Sequence, residues 1–548
     1  VNRTVLSVGA VAVALAAVTG VAALTAPEEA ASSAESLGTA ARKPVERSTL
    51  VCPSPSTSDV AETAYEAFTP KGGPGKKGSA ALYAAERADP QDPEDPADGK
   101  DGKDGKSDSE ESDKDKNSDK EKNSEEDKGS KEDAGGEDGA GKGNGKPFLS
   151  LGSPGTPVAA ETDDPGAPAL TGTADGPFAP GWTVQQTTAV AAGAGRGLQG
   201  TSCSVPDTSF WFPGASTAEG RQDYVHLTNP DSTPAVVDLE LYGKEGKEKA
   251  GQGSGEGITV PPHATVPVLL STLTSEPVTN VTLHVIARSG RVGAQIQSSD
   301  RKLGGDWLAP AADPAPGQVL PGIPEDATAV RLSVLAPGGA DADLKVQLAG
   351  KSGRISPAGH ESLHVKAGMV TTVDLKGLIK GESGSLVLSP AEDGEDAPDV
   401  VAAARVLRGK GSKQETAFVP ATAPVQKRAT AAGNTASGTT LALTAPEGGA
   451  KVRVTASPGS GGGSPKSTTV TLKAHTTKAF TPPRPADGKG GYAVTVERLS
   501  GGPVYASRTL EHEQSGVTGF TVQTLPDDRS TVAVPESAQD LSVLNDDE

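Results

Sequence analysis

The chain has 548 residues and a formal net charge of −20, with 68 glycines, 44 prolines, 34% hydrophobic residues and 3% aromatics. That composition can fill several modest β-rich cores set between turns, and it excludes one large core. It also lacks the basic footprint of a nucleic-acid binder, so RNA and DNA are not expected as partners.

The chain opens VNRTVLSVGAVAVALAAVTGVAALTAPEEA. Arg3 precedes an uncharged stretch from Val5 to Leu24, long for the apolar part of a signal peptide and about long enough to span a bilayer once. Residues 1–24 fit a signal anchor or a signal peptide cleaved near Val21-Ala22-Ala23. Either way the remainder is expected outside the cytoplasm, secreted or held at the cytoplasmic membrane by this single segment. A lipoprotein anchor does not fit, because Cys52 lies far downstream behind Thr49-Leu50-Val51.

Residues 25–45 read as a polar linker. The segment 46–70 holds ERSTLVCP, a short alternating strand expected to pack on the first sandwich. Residues 71–147 are mostly Gly, Lys, Asp, Glu and Ser, and between Asp89 and Asp138 there are 21 acidic residues against 9 lysines. Such a polyampholyte buries too little apolar surface to offset its ordering entropy, so disorder is expected, with the role of a flexible stalk. Its acidic triplets lack the order of a calcium loop.

From Phe148 the pattern becomes β-like, and past residue 220 it repeats. Val292-Gly293-Ala294, Val401-Ala402-Ala403 and Val504-Tyr505-Ala506 occupy equivalent places, a spacing of roughly 105 residues. Each unit supplies short alternating strands broken by Pro, Gly and Asn turns. The predicted fold is all-β, about three tandem immunoglobulin-like β-sandwiches, at 148–323 (with an N-terminal extension), 324–428 and 429–548. A propeller fits less well, since it wants shorter units with blade signatures. The last stretch, VPESAQDLSVLNDDE, reads as a final strand that pairs back or a truncated fourth unit, followed by an acidic tail.

In an exported chain the only two cysteines, Cys52 and Cys203, are expected to form one disulfide. Catalytic redox use would need a CxxC or another nearby thiol. Near Cys203 lies the densest aromatic run, Phe210-Trp211-Phe212. Alternation puts Phe210 and Phe212 on one face and Trp211 on the other, and this run is expected to cover the disulfide or anchor the first core.

Two motif matches suggest chemistry and do not carry it. His360-Glu361-Ser362-Leu363-His364 fits H-E-x-x-H, which holds zinc only on a helix. Here Pro357 and Gly359 precede it and an alternating segment follows, so a strand is predicted. Positions four apart on a strand are about 13 Å apart, too far to share a metal. Gly195-Arg196-Gly197-Leu198-Gln199-Gly200 fits G-x-G-x-x-G, but no helix follows to meet a pyrophosphate, and a glycine turn is predicted. No catalytic, cofactor or metal residues are assigned, and no cofactor is expected.

RSTLVCP, then RGLQGTSCSVPDTSFWFPG, then YVHLTNPDSTPAVVDLELYGKEG resemble the actinobacterial secreted family catalogued as domain of unknown function 5719. The resemblance covers most of the exported part apart from the acidic insert, and it implies no activity, cofactor or catalytic residues. The sequence therefore points to a non-catalytic extracytoplasmic protein of the cell envelope with a structural or interaction role. Its modules would sit on the flexible stalk. A module binding wall glycan or an envelope protein is the alternative, and an envelope hydrolase the third reading.

Overall fold

The computed structural model describes residues 41–88, 145–249 and 255–534, apart from positions 376, 380, 393, 395 and 515. The expected signal segment, nearly all of the linker and the stretch 535–548 lie outside the described residues. So does 89–144, the bulk of the segment expected to be disordered.

In the strands Ala342–Ala349 (ADLKVQLA) and Ala450–Pro458 (AKVRVTASP) buried side chains alternate with exposed ones over the first half of each. This period of two fits an extended strand with one face on a core and one in water. Among the described residues the only helical pieces are 3₁₀ turns of three residues. No described helix is long and apolar enough to cross a membrane.

Each repeat is a sandwich of two antiparallel sheets. In the first, Ser209–Ala215, Val281–Ser289 and Ala235–Gly243 pair in that order, with Gly246–Lys247 and Ile258–Val260 on the outer edge. Its facing sheet runs Gly304–Leu308, Gly293–Asp300, Arg221–Thr228, Ala264–Leu269, with Glu86–Arg87 from earlier in the chain added parallel at the edge. The second repeat orders Gln318–Ile323, Gly384–Pro390 and Ala342–Ala349 against Glu415–Pro420, Val401–Arg408, Ala329–Leu335 and Val370–Asp374. The third orders Arg428–Asn434, Tyr492–Gly501, Ala450–Pro458 and Lys466–Leu472 against Val517–Thr524, Tyr505–Gln514, Thr439–Ala445 and Thr476–Phe480. The aligned triplets at 292–294, 401–403 and 504–506 all fall at the start of the next-to-last strand of their repeat.

A further sandwich with the same strand order precedes these three. Arg47–Cys52, Leu170–Asp175, Ala80–Ala84 and Leu149–Ser150 form one sheet. Gly197–Ser202, Thr183–Val190, Ala61–Phe68 and Val158–Thr162 form the other. It has its own core around Leu50, Tyr65, Leu82, Leu170, Trp182 and Val184. The segment 46–70 thus belongs to a separate unit, and residues 148–202 are the rest of that unit, not an extension of the first repeat.

Two boundaries shift as a consequence. Ala80–Ala84 lies inside the segment expected to be disordered, because Ala80 and Leu82 alternate into this core, each 1% exposed. Leu82 also pairs with Leu149, and the Phe148 amide donates to the Leu82 carbonyl. The described residues on either side of 89–144 are thus held in the fold, Glu86–Arg87 by parallel pairing with Ala264–Thr265 of the first repeat and Leu149–Ser150 by pairing with Ala81 and Leu82. Ala41–Pro44, at the end of the expected linker, pairs antiparallel with Thr531–Val534.

The four sandwiches close into a ring. Their last strands, Gly197–Ser202, Gly304–Leu308, Glu415–Pro420 and Val517–Thr524, contact one another in cyclic order. Phe418 of the second repeat packs into the core of the first, and Phe520 of the third into the core of the second. The N-terminal sandwich meets the third repeat through Phe68, Ala432 and Ala493, and the Ala432 amide donates to Gln185 Oε1 at 2.7 Å.

Candidate functional site

The most fully buried ionisable group among the described residues lies where the four units meet. Asp306, on the last strand of the first repeat, is fully buried. Its carboxylate accepts from the Gly200 amide at 3.0 Å and from the Thr521 hydroxyl at 3.1 and 3.2 Å. The amides of Trp307 and Phe418 also donate to it. Each of the four units thus supplies at least one donor. Burial pushes the Asp306 carboxyl well above the usual carboxylate range, and these hydrogen bonds pull it back only in part. A side chain at Gly200 would run into Thr521, so glycine is needed for this approach.

Near this junction is a cavity of ≈ 70 Å³ lined by Val190, Arg196, Leu198, Glu415, His512 and Gly519, among others. Glu415 is 3% exposed, and burial raises its carboxyl to about 7, against the pull of Arg196 at 3.7 Å. The Arg196 guanidinium also donates to the carbonyls of Lys302 and Gln414. The cavity has room for a few waters. It is well below the volume of pockets that take metabolite-sized ligands. Its ionic groups join units together.

A similar pair lies at the junction of the N-terminal sandwich and the third repeat. Arg508, 1% exposed, donates to Gln523, Ala432 and Asn434. Burial raises Glu66 to about 7, while the Arg508 charge lowers it.

Sequence reasoning correctly paired Cys52 with Cys203. The disulfide ties the end of the first strand of the N-terminal sandwich to the residue after its eighth, joining its two sheets inside the core. Phe210 and Phe212 fill the core of the first repeat, as alternation predicted, and do not cover the disulfide. Trp211 faces the other way, packed on Leu335, Val370 and Val401 of the second repeat.

The glycines of 195–200 form a turn into an eighth strand, and Arg196, Gly197 and Leu198 line the axial cavity. His364 lies on the strand Ser362–Val365 beside Asp343 (2.9 Å) and Asp341 (3.5 Å), with His360 in the preceding turn. The helix that a zinc motif needs is absent there. Among the described residues no group of three or more potential ligands is placed to hold a metal.

One arrangement that sequence reasoning missed looks like a hydrolase triad. Ser209 Oγ lies 3.0 Å from His284 Nε2, and Glu240 Oε2 lies 3.9 Å from His284 Nδ1. Cross-strand register explains it, since Glu240 and Trp211 both stand opposite His284. The chemistry does not follow. Tyr242 and Lys247 already donate to the two Glu240 oxygens at 2.7 Å each, and 3.9 Å is too long for a hydrogen bond to His284. Trp211 stacks on the imidazole at 3.6 Å. Burial lowers His284 to about 4, and the cluster braces the junction between the first and second repeats.

The profile of a family of unknown function, DUF5719, matches residues 158–483. The chain belongs to this family. The match begins in the fifth strand of the N-terminal sandwich and ends just past the fifth strand of the third repeat, so its limits do not follow single sandwiches. No curated protein and no solved structure matches the chain.

Proposed function

We propose that this DUF5719 protein is an exported, non-catalytic component of the cell envelope with a structural or interaction role. The observation that carries the reading is the buried Cys52–Cys203 disulfide, which uses the only two cysteines of the chain. Disulfides of this kind persist in oxidising compartments and are rare in the cytosol. The uncharged run Val5–Leu24 supports export in the same sense. The buried ionic groups lend support to a structural role, since Asp306, Glu66 and Glu415 join sandwiches to one another.

Binding of wall glycan or of an envelope protein is the interaction form of this role, and loops at the sandwich ends are where it would reside. The hydrolase reading draws no support from the Ser209–His284–Glu240 cluster. Fractionation of producing cells tests the proposal. The full-length chain is expected in the membrane or extracellular fraction with both cysteines oxidised. Recovery in the cytoplasm with free thiols would overturn it.

A further inference from the structure

Three unpaired cations of the third repeat surround one cleft. It encloses ≈ 360 Å³ between the connection 459–465, which leads into Lys466–Leu472, and the connection 481–491, which leads into Tyr492–Gly501. Ser464 and Ala486 exchange backbone hydrogen bonds of 2.9 Å, which hold the two connections together. Lys466, Arg484 and Lys489 line the cleft, and no carboxylate does. Among the described residues none of the three cations has an ion-pair partner. The same walls include Gly459, Gly488, Gly490 and Gly491, where no side chain hinders approach to the main chain.

Tyr492 supplies an independent observation. It lines the cleft and is only 3% exposed, yet its buried hydroxyl has no hydrogen-bond partner. Burial pushes that hydroxyl up, and the Arg484 guanidinium of the cleft and the buried Arg508 guanidinium behind it both pull it back. A buried donor left without an acceptor is costly, and an anionic oxygen that reached it from the cleft would satisfy it.

We propose that this cleft binds a chain of linked phosphates, an oligophosphate or a phosphodiester polymer. Arginine and lysine with accessible glycine backbone make the donor set that phosphate oxygens engage. Three cations match a ligand carrying several negative charges, and the volume lies within the range of pockets that hold ligands larger than a single ion. Binding here does not depend on where the chain resides, so failure of the export reading would leave it intact.

The test is calorimetric titration of the full chain with orthophosphate, tripolyphosphate and polyaspartate at fixed salt. Tripolyphosphate is expected to bind tighter than orthophosphate and than polyaspartate matched in charge. The variant Lys466→Gln/Arg484→Gln/Lys489→Gln should lose roughly a hundredfold in affinity. Tyr492→Phe should lose roughly fivefold to tenfold in affinity with Tm equal to or above wild type, because the buried hydroxyl has no partner in the free protein and its removal relieves that cost. Lys451→Gln/Lys473→Gln/Lys478→Gln, which neutralises exposed lysines of the same sandwich outside the cleft, should keep wild-type affinity. Absence of tripolyphosphate binding, equal binding of polyaspartate, or equal loss in the control variant would overturn the proposal.

Discussion

The carboxylate of Asp306 accepts a hydrogen bond from the Thr521 hydroxyl at 3.1 Å, across 215 residues of chain. Asp306 belongs to the first repeat and Thr521 to the third, so the contact crosses the axis of the ring. Removing the carboxylate leaves the Gly200 and Phe418 amides without their acceptor in a dry site. Asp306→Ala should therefore destabilise by about 3 kcal/mol or more, read as a lower denaturant midpoint. Asp306→Asn keeps one acceptor oxygen and should lose less. A midpoint unchanged in Asp306→Ala would mean that the four units do not depend on this junction.

Glu66 and Glu415, both raised to about 7 by burial, set a pH dependence whose sign is fixed. The folded protein holds these protons up to about 7, while the unfolded chain releases them near the ordinary 4.5. Their contribution is full below that value and is lost as pH rises through 7. His226 and His284, lowered to about 4 by burial, act in the opposite sense, losing stability as pH falls below 6.5. The difference in Tm between the wild type and Glu66→Gln/Glu415→Gln isolates the carboxyls. That difference should move against the wild type between pH 4.5 and 7 and then level off. A constant difference would contradict the assignment.

Trp211 seals the junction of the first and second repeats. Trp211→Ala should cost about 3–5 kcal/mol, as for other large buried aromatics. It also uncovers His284, whose imidazole should rise from about 4 toward its ordinary 6.5, measurable by NMR titration. Trp211→Phe keeps a ring over the imidazole and should show a smaller change in both. An unchanged His284 titration in the alanine variant would show that the stacking does not shield it.

The disulfide closes a sequence separation of 151 residues that includes the acidic segment. A loop of that length corresponds to about 4–5 kcal/mol in the chain-entropy account. Cys52→Ala/Cys203→Ala should lower Tm, and hydrogen exchange should speed first in Arg47–Cys52 and Gly197–Ser202. The first and third repeats border the N-terminal sandwich and should loosen next, with the second least affected. Loosening that begins in the second repeat would contradict the ring order.

The three later sandwiches are legible in the sequence because their strands alternate apolar and polar residues against private cores. The N-terminal sandwich is hidden for two physical reasons. Its third and fourth strands, Ala80–Ala84 and Leu149–Ser150, are parted by the acidic segment. Its seventh and eighth strands bury Gln185, Gln186, Thr188, Gln199 and Thr201, because they sit against neighbouring units, and so they lack a clear apolar period. The axial groups were invisible for a related reason. Gly200, Asp306, Glu415 and Thr521 come from four different units, and only ring closure brings them together. A lone acidic residue in GGDWL, on an otherwise apolar strand, was the one available signal. By contrast the Cys52–Cys203 pair and the Phe210/Phe212 face needed only compartment and alternation to be read.

Closure of the ring is tested most directly where the strand before the N-terminal sandwich pairs with the strand after the third repeat. Lys43 and Val532 stand opposite each other in the antiparallel pairing of Ala41–Pro44 with Thr531–Val534, and both side chains are exposed. Paired strands bring such positions to about 4.5–5.5 Å, within disulfide range. The native cysteines are already bonded and buried. Lys43→Cys/Val532→Cys, oxidised at low protein concentration, should give a monomer with faster mobility on non-reducing gels, reversed by reductant. Free thiols at both positions, or only cross-linked dimers, would contradict a ring of four sandwiches closed within one chain.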